Sequence, residues 1–196
     1  MEALSTAGQV ELRDAGPRDL EAIVALSLAC RRSAIAWAGA DWSPGALIAE
    51  RMIWWDRLRD PLTWVAVATA GPTRVGAIAL TRAGSGSTGP ASAHVGYLAG
   101  PIVDPEWWHE GVGTRLVEEA EAMAAQLGFA RAELFVELGN GRGRDFLERL
   151  GWRREDEGPR RSPMALALYA RDFHGGSGPA ITHAGRRDVA LHDLTP

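Results

Sequence analysis

The stretch VDPEWWHEGVGTRL, residues 103–116, joins the end of an apolar segment to the start of an amphipathic one. Gly111 and Gly113 carry no Cβ atom, so the backbone there can adopt positive φ and approach a ligand closely. The first amides of the helix that follows have no intrahelical acceptor and carry partial positive charge. Free N–H groups beside glycines suit a phosphate group. The stretch therefore predicts an anion-binding helix start.

The composition is that of a globular protein. The chain has 196 residues, of which 46% are hydrophobic and 23% are charged, and these values favour one domain with its own core. Its single cysteine, Cys30, excludes an intramolecular disulfide and a cysteine-based zinc cluster. The net charge of −4 argues against a nucleic-acid surface. We find no signal peptide or apolar run of about 18 residues, and we expect a cytoplasmic protein without nucleic-acid, membrane or metal partners.

Hydrophobic periodicity predicts the element order β-α-α-β-β-β-α-β-α-β-β. Hairpins mixed with two strand-helix units favour an α+β fold, a mixed sheet with helices on both faces. Periodicity is lost from Arg171 onward, so we expect a domain over 1–170 and a flexible tail over 171–196. The predicted strands are 10–15, 62–69, 74–81, 94–104, 130–138, 152–156 and 163–169, and the predicted helices begin near Asp19 and span 43–60, 112–127 and 141–150.

The strand predicted over 94–104 contains the pair Gly100-Pro101. A proline inside a strand removes one N–H donor from the ladder, so it implies a bulge or an edge. We therefore expect the pairing of this strand to break midway.

Two common phosphate-binding motifs do not fit the glycine pair. A Walker loop requires a lysine, and the chain has none. A dinucleotide-binding fingerprint requires a small residue at the position of Leu116, and it also requires an early strand-turn-helix unit.

A third motif fits the stretch and its neighbours. Residues 103–116 resemble motif A of the GNAT superfamily of N-acetyltransferases, and NGRGRDFLERLGWRRE, residues 140–155, resembles a second motif of that family. VELRDAGPRDLEAIVAL, residues 10–26, resembles its opening strand and helix. The resemblance covers roughly residues 10–170. The matching positions are Val103, Pro105, Gly111, Gly113 and Leu116 in the first motif and Asn140, Phe146, Gly151 and Trp152 in the second.

The resemblance implies a sheet of about seven strands that splays between the fourth and fifth strands. It also implies an acetyl-CoA-dependent N-acetyltransferase with the cosubstrate in that gap. Backbone groups near Ile102 and Val103 would pair with pantetheine, and the Asn140 side chain would contact the cosubstrate. The loop that would cradle the pyrophosphate through its N–H groups consists of Trp108, His109, Glu110, Gly111, Val112, Gly113 and Thr114.

Three positions depart from the family pattern. Trp108 replaces the usual Arg or Gln, and His109 replaces the usual first glycine, so His109 must tolerate the dihedral angles of the loop. Leu147 replaces the tyrosine that commonly protonates the departing thiolate, and a leucine cannot donate a proton. These departures leave open an acyl-CoA-binding module with weak or no turnover.

Two residues are predicted to take part in the chemistry. Tyr97 occupies the place of the carboxylate that many family members use as a base, but an unperturbed phenol is a poor base at neutral pH, so its role stays open. The backbone amide of Ile102 is the predicted oxyanion donor, because Pro101 has no N–H. Further titratable candidates are His94, Glu106 and Glu137.

The acceptor side is predicted to lie in the region of the first two helices. Trp37, Trp42 and Trp55 are candidates to stack on an aromatic ring or hold a cation, with Asp41 or Glu50 supplying charge. We therefore expect a small aromatic or cationic primary amine as acceptor. A peptide N-terminus is the alternative, and a homodimer is compatible with these features.

Overall fold

The computed structural model describes residues 10–38, 44–82, 94–157 and 165–173. Within these ranges the chain forms seven strands and four α-helices. The strands are β1 (Val10–Asp14), β2 (Trp64–Ala70), β3 (Thr73–Arg82), β4 (Val95–Val103), β5 (Arg131–Glu137), β6 (Arg153–Glu157) and β7 (Leu166–Asp172), and the helices are α1 (Leu20–Ala38), α2 (Pro44–Arg59), α3 (Val112–Gln126) and α4 (Gly141–Arg149).

The strands form one mixed sheet in the order β1-β2-β3-β4-β5-β7-β6. The pair β4–β5 is parallel, and the other neighbouring pairs are antiparallel. A parallel pair requires a crossover connection, and α3 supplies it because it lies between these two strands in sequence. This topology confirms the predicted mixed sheet.

Helices cover both faces of the sheet, as the sequence predicts. Apolar residues of α3 and α4 pack on one face with alternate residues of β5, namely Ala132, Leu134 and Val136. Residues of α1 and α2, including Ile23 and Trp54, pack on the other face against Val67 and Ala77. Because side chains alternate along a strand, Phe135 and Glu137 of β5 belong to the face that α1 and α2 cover.

The pairing of β4 breaks at Gly100-Pro101, which confirms the predicted bulge. The register with β3 passes from Ala79↔Ala99 to Ala77↔Ile102, so two residues of β4 oppose one residue of β3. Gly100 has a φ of +107°, and a Cβ there would lie 3.1 Å from the carbonyl oxygen of Ala77, so the position requires glycine.

Beyond the bulge, β4 and β5 separate. Their parallel pairing covers Val95–Tyr97 and Arg131–Glu133, although both strands continue past these residues. The splay between the fourth and fifth strands is therefore present, and it leaves a gap whose walls are the ends of β4 and β5.

Two predicted boundaries need correction. The predicted strands 62–69 and 74–81 leave a four-residue turn between them, but the β2–β3 hairpin has a two-residue turn, because Ala70 pairs with Thr73 and Gly71 takes a φ of +57°. Strand β7 includes Arg171 and Asp172, which pair with Ala132 and Arg131, so the tail cannot begin at residue 171. The flexibility expected for the remaining residues stays a prediction, because 174–196 lie outside the described residues.

Asp19 ties β1, β3 and the start of α1 together. Its side chain is fully buried and receives hydrogen bonds from Arg13 at 2.7 and 2.9 Å, from Arg74 Nε at 3.0 Å and from the N–H of Gly16 at 3.0 Å. These donors, Arg13 foremost, hold the pKa of Asp19 far below its usual range. The sequence predicts a helix start near Asp19, which is confirmed because α1 begins at Leu20, and the carboxylate in addition joins β1 and β3 to that start.

We expect Asp19→Asn to lower the free energy of unfolding by about 3 kcal/mol at pH 7, because the substitution leaves two partly buried guanidinium groups without their charge partner. A carboxylate with a depressed pKa stabilises the fold above its unfolded pKa of about 3.9 and loses that contribution as the pH falls toward its folded pKa. The difference between wild type and variant, measured by urea unfolding, should therefore shrink from pH 6 to pH 3.

Glu21→Gln is the matched control, since Glu21 forms an exposed ion pair with Arg51. Exposed pairs contribute little to stability, so this variant should unfold like wild type. A difference between wild type and Asp19→Asn that stays constant with pH would contradict the role of the buried carboxylate.

Candidate active site

A cavity of about 620 Å³ lies where β4 and β5 separate. Its volume is typical of sites for small molecules and cosubstrates. Residues of both splayed strands line it, together with residues of all four helices and of the loop before α3. The sheet irregularity thus creates the candidate site.

The backbone of Val103 faces this gap. Gly76 and Val103 are register partners, and the N–H of Asp104 donates to the carbonyl of Val75 at 2.9 Å. In an antiparallel ladder this pattern makes Gly76–Val103 a non-hydrogen-bonded pair, so the N–H and C=O of Val103 point away from β3. By the same alternation Ile102 directs its N–H and C=O toward Ala77.

This register corrects the amide predicted for the oxyanion. The Ile102 side chain lines the cavity, but its N–H is directed into the β3–β4 ladder, and the first gap-facing amide after Pro101 belongs to Val103. The sequence alone could not decide this, because the bulge determines which residues of β4 face β3.

Two side chains donate hydrogen bonds to the carbonyl oxygen of Val103. The thiol of Cys30 and the indole Nε1 of Trp108 each donate to it at 2.9 Å. Burial raises the pKa of the Cys30 thiol, which keeps it protonated as the donor. With both lone pairs of the oxygen engaged, the N–H of Val103 is the group that this residue offers to a ligand.

The loop before α3 has the geometry of an anion cradle. Gly111 is the N-cap, with a φ of +78°, and α3 begins at Val112. An added Cβ at Gly111 would meet no atom within 4 Å, so the space in front of the loop is open. A Cβ added at Gly113 would lie 3.4 Å from the Phe146 ring. This open space beside free helix N–H groups fits a phosphate group.

His109 adopts the left-handed conformation that its place in the loop demands, with a φ of +69°. Among residues with a side chain, histidine enters this region more readily than most. The exposed residues His109 and Gly111 and the half-buried residues Trp108, Gly113 and Thr114 all line the cavity, whereas Glu110 and Val112 do not. The Val112 side chain is in the core, so only its backbone can serve a ligand.

Asn140 has a structural role as the N-cap of α4. Its Oδ1 accepts a hydrogen bond from the N–H of Gly143 at 2.8 Å, and the residue also lines the cavity. The side-chain NH₂ group is the part of Asn140 that a ligand could contact. Leu147 lies on the same helix, is 2% exposed and offers no proton donor.

Of the four residues that the sequence offers for the chemistry, Tyr97, His94, Glu106 and Glu137, it is Glu137 that lines the cavity. Burial raises its pKa, and the nearby charge of Arg31 partly opposes that shift. Tyr97 belongs to the same face of the sheet, with its ring 5.9 Å from that of Phe135, but it is not among the lining residues. His94 and Glu106 are exposed.

Helix α1 contributes lining residues that the sequence did not single out. Ser27, Cys30 and Arg31 share one helical face and line the cavity. Glu50 of α2, which the sequence offers as a source of charge for the acceptor, lines it as well. The Ser27 hydroxyl is buried and has no hydrogen-bond partner within the described parts of the chain. Cys30 and Arg31 follow Ser27 by three and four residues, and this helical spacing was the signal in the sequence that could have placed them on one face.

Among the three tryptophans predicted to bind the acceptor, Trp55 has a described side chain, and it does not line the cavity. Trp55 is 39% exposed, lies beside Arg51 and Met52, and carries Arg59 over its ring at 4.9 Å, outside the cavity. It was predicted to face the acceptor because helical periodicity alone does not identify the solvent side. The side chains of Trp37 and Trp42 lie outside the described residues.

The family model of the Acetyltransferase (GNAT) family matches residues 24–152. The chain belongs to this family. It is therefore an acetyltransferase, and the cosubstrate of its family is acetyl-CoA. No curated protein is significantly similar to this GNAT chain in sequence. No helix in the described ranges is long and apolar enough to cross a membrane.

Solved structures share the fold of this GNAT protein. The PaiA N-acetyltransferase of Thermoplasma acidophilum, crystallised with coenzyme A, is 18% identical with a TM-score of 0.68, and the match covers 84% of this chain and 99% of that one. A GCN5-related N-acetyltransferase of Kribbella flavida is 21% identical with a TM-score of 0.64, covering 85% and 99%. Ard1 of Thermoplasma volcanium is 15% identical with a TM-score of 0.62, covering 84% and 97%.

The positive φ of His109 gives a prediction for coenzyme A binding by this GNAT protein. His109→Gly should bind coenzyme A within about twofold of wild type, since glycine adopts this conformation freely. His109→Val should bind about tenfold more weakly, because a β-branched residue there costs between about 1 and 3 kcal/mol of backbone strain. Isothermal titration calorimetry measures both. Equal affinities for the two variants would show that the loop does not depend on this conformation.

Proposed function

We propose that this protein transfers the acetyl group of acetyl-CoA to the primary amine of a small molecule by direct attack on the thioester. One observation carries the proposal: a single cavity joins the anion cradle before α3 to a half-buried carboxylate, Glu137, at the end of β5. We also propose a cytoplasmic location, supported by the single, reduced cysteine.

Bound acetyl-CoA would supply the activated acetyl group. The residues predicted to bind it along β4, in the loop over 108–114 and at Asn140 line or border the cavity, so the proposal retains them, except that the Val103 amide replaces that of Ile102 as the oxyanion donor. The N–H groups at the start of α3 would hold the pyrophosphate. The Val103 N–H would donate to the thioester oxygen and so stabilise negative charge that develops there.

Glu137 is our candidate for the general base. An attacking amine must be neutral, and a carboxylate at the cavity wall can remove its proton. Burial raises the pKa of Glu137 toward the working pH, which makes the carboxylate a stronger base than an exposed glutamate. Tyr97 packs on Phe135, and we assign it support of the acceptor wall rather than proton transfer.

The departing thiolate has no proton donor on α4, since Leu147 occupies the relevant place. A thiol has a pKa of about 8.5, so solvent water can return its proton without a dedicated acid. This feature also motivates the alternative function, an acyl-CoA-binding module with little turnover.

On the side of α1 and α2, the charges that line the cavity support a cationic acceptor, whereas Arg142 and Arg149 lie on α4. Glu50 and Glu137 both line it, and Arg31, which lies 3.4 Å from Glu50, is the cation of α1 in the same wall. A carboxylate beside the acceptor attracts an ammonium group and can then accept its proton. A peptide N-terminus stays the alternative acceptor.

The function is tested by thiol release from acetyl-CoA over a panel of aromatic, aliphatic and cationic amines. We expect turnover with at least one small cationic or aromatic amine. Coenzyme A binding without thiol release for any amine would favour the binding module, and release with peptides alone would favour the N-terminal acetyltransferase.

Gly111→Asp should abolish the stabilisation by acetyl-CoA, because it places a negative charge in the cradle. Gly111→Asn is the matched control, since asparagine has the same shape and tolerates positive φ similarly. We expect Asn to retain most of the thermal stabilisation by acetyl-CoA and Asp to lose it. Equal stabilisation of both variants would contradict the phosphate assignment of the loop.

Glu137→Gln should lower kcat/KM about 100-fold, which is the usual contribution of a general base. Because the pKa of Glu137 is raised, wild-type activity should increase with pH as this carboxylate ionises, and the variant should lose that limb of the pH profile. Glu133→Gln is the control on the same face of β5, since Glu133 pairs with Arg131 away from the cavity. An unchanged pH profile in Glu137→Gln would remove Glu137 from proton transfer.

A further inference from the structure

Trp108 and Arg142 contact each other in the wall of the cavity. Trp108 precedes α3, whereas Arg142 lies in the first turn of α4, and the guanidinium carbon of Arg142 is 4.0 Å from the centroid of the Trp108 ring. Both residues line the cavity. This contact therefore links the loop that follows β4 to the helix that follows β5.

A hydrogen bond to the backbone fixes the orientation of the Trp108 ring. Its Nε1 donates to the carbonyl of Val103 at 2.9 Å, so the indole plane cannot turn without losing that bond. A fixed aromatic face attracts a guanidinium and holds its plane in one orientation. Trp108 can therefore act as a platform for Arg142.

Arg142 carries a charge that no acidic side chain neutralises in the described ranges. Its side chain is exposed, and neither an ion pair nor a hydrogen bond engages it in those parts of the chain. A guanidinium that stacks through one face keeps its N–H groups free at the edge. Arg142 thus presents donors for an anion in the cavity that Gly111 also lines.

Two other arginine–tryptophan contacts among the described residues provide a comparison. Arg57 lies over Trp54 at 4.8 Å and Arg59 lies over Trp55 at 4.9 Å, both within α2. None of these four residues lines the main cavity. The contact between Trp108 and Arg142 joins two elements and faces the cavity, so packing within one helix does not account for it.

We propose that Trp108 positions Arg142 to bind a phosphate group of coenzyme A. The inference rests on the proposed placement of the cosubstrate in this cavity. Bidentate N–H donors recognise phosphate oxygens, and both the pyrophosphate and the 3′-phosphate of coenzyme A present such oxygens. Arg142 is the binding residue, and Trp108 is a positioning residue that acts through it.

The test measures dissociation constants by isothermal titration calorimetry for wild type, Arg142→Gln, Arg142→Lys, Trp108→Leu and the double variant Trp108→Leu/Arg142→Gln. We expect Arg142→Gln to bind coenzyme A about tenfold more weakly, as is typical on loss of a charge-assisted hydrogen bond. Arg142→Lys should recover only part of this loss, because lysine keeps the charge without the planar stacking.

The double variant separates positioning from simple packing. If Trp108 acts through Arg142, Trp108→Leu should cost much less in the Arg142→Gln background than in wild type. Additive losses would overturn the positioning role. Arg149→Gln is the control for charge, because Arg149 also lines the cavity on α4 but does not stack on Trp108, and we expect a smaller loss.

Binding of 3′-dephospho-CoA, which lacks the 3′-phosphate, shows which phosphate group of coenzyme A contacts Arg142. Equal penalties of Arg142→Gln for coenzyme A and 3′-dephospho-CoA assign Arg142 to the pyrophosphate, whereas a penalty that disappears with 3′-dephospho-CoA assigns it to the 3′-phosphate. An Arg142→Gln variant that binds coenzyme A within twofold of wild type overturns the proposal. Wild-type protein that binds no coenzyme A contradicts the proposed function itself, so the two failures are distinguishable.

Discussion

The loss of hydrogen bonds between β4 and β5 is the constraint on which the site depends. A paired sheet would leave no backbone N–H or C=O group for a ligand between its strands. At Gly100-Pro101 the chain inserts one extra residue, and the parallel pairing with β5 does not extend past Tyr97 and Glu133. The gap that results determines which backbone groups, side chains and helix termini converge on the cavity.

The two faces of the sheet contribute different chemical groups to the site. On the face of α3 and α4, glycines and helix N-termini surround open space suited to phosphate groups. On the face of α1 and α2, the cavity is lined by hydroxyl, thiol, carboxylate and guanidinium groups. Strand alternation enforces this division, because successive residues of β5 face opposite sides. The cavity connects the two sides only where the strands have separated.

Residues that depart from the family pattern are accommodated by their surroundings. His109 takes the left-handed conformation in place of a glycine. Trp108 replaces a polar residue, yet its indole N–H satisfies the inward carbonyl of Val103, and its ring carries Arg142. Leu147 has no such compensation and is simply buried in the core. The residues that replace the family pattern in the loop before α3 are therefore compatible with cosubstrate binding, whereas α4 offers no proton donor at Leu147.

The sequence by itself determined the order of elements, the bulge and the glycine-containing start of α3, because these follow from local signals: hydrophobic period, a proline inside a strand, and glycines at a helix N-terminus. It also identified the family through linked motifs. At Asp19 the local signal predicted the helix start, but it did not predict that the carboxylate binds Arg13 and Arg74 from two strands.

Only the tertiary structure decided which candidates reach the cavity. The register across the bulge directed the Val103 amide rather than that of Ile102 into the gap, and the packing of α2 turned Trp55 outward. Ser27, Cys30 and Arg31 lie far in sequence from β5, yet the packing of α1 on the sheet brings them to the same cavity as Glu137. Such contacts depend on how helices lie across strands, and no local pattern in the sequence encodes that arrangement.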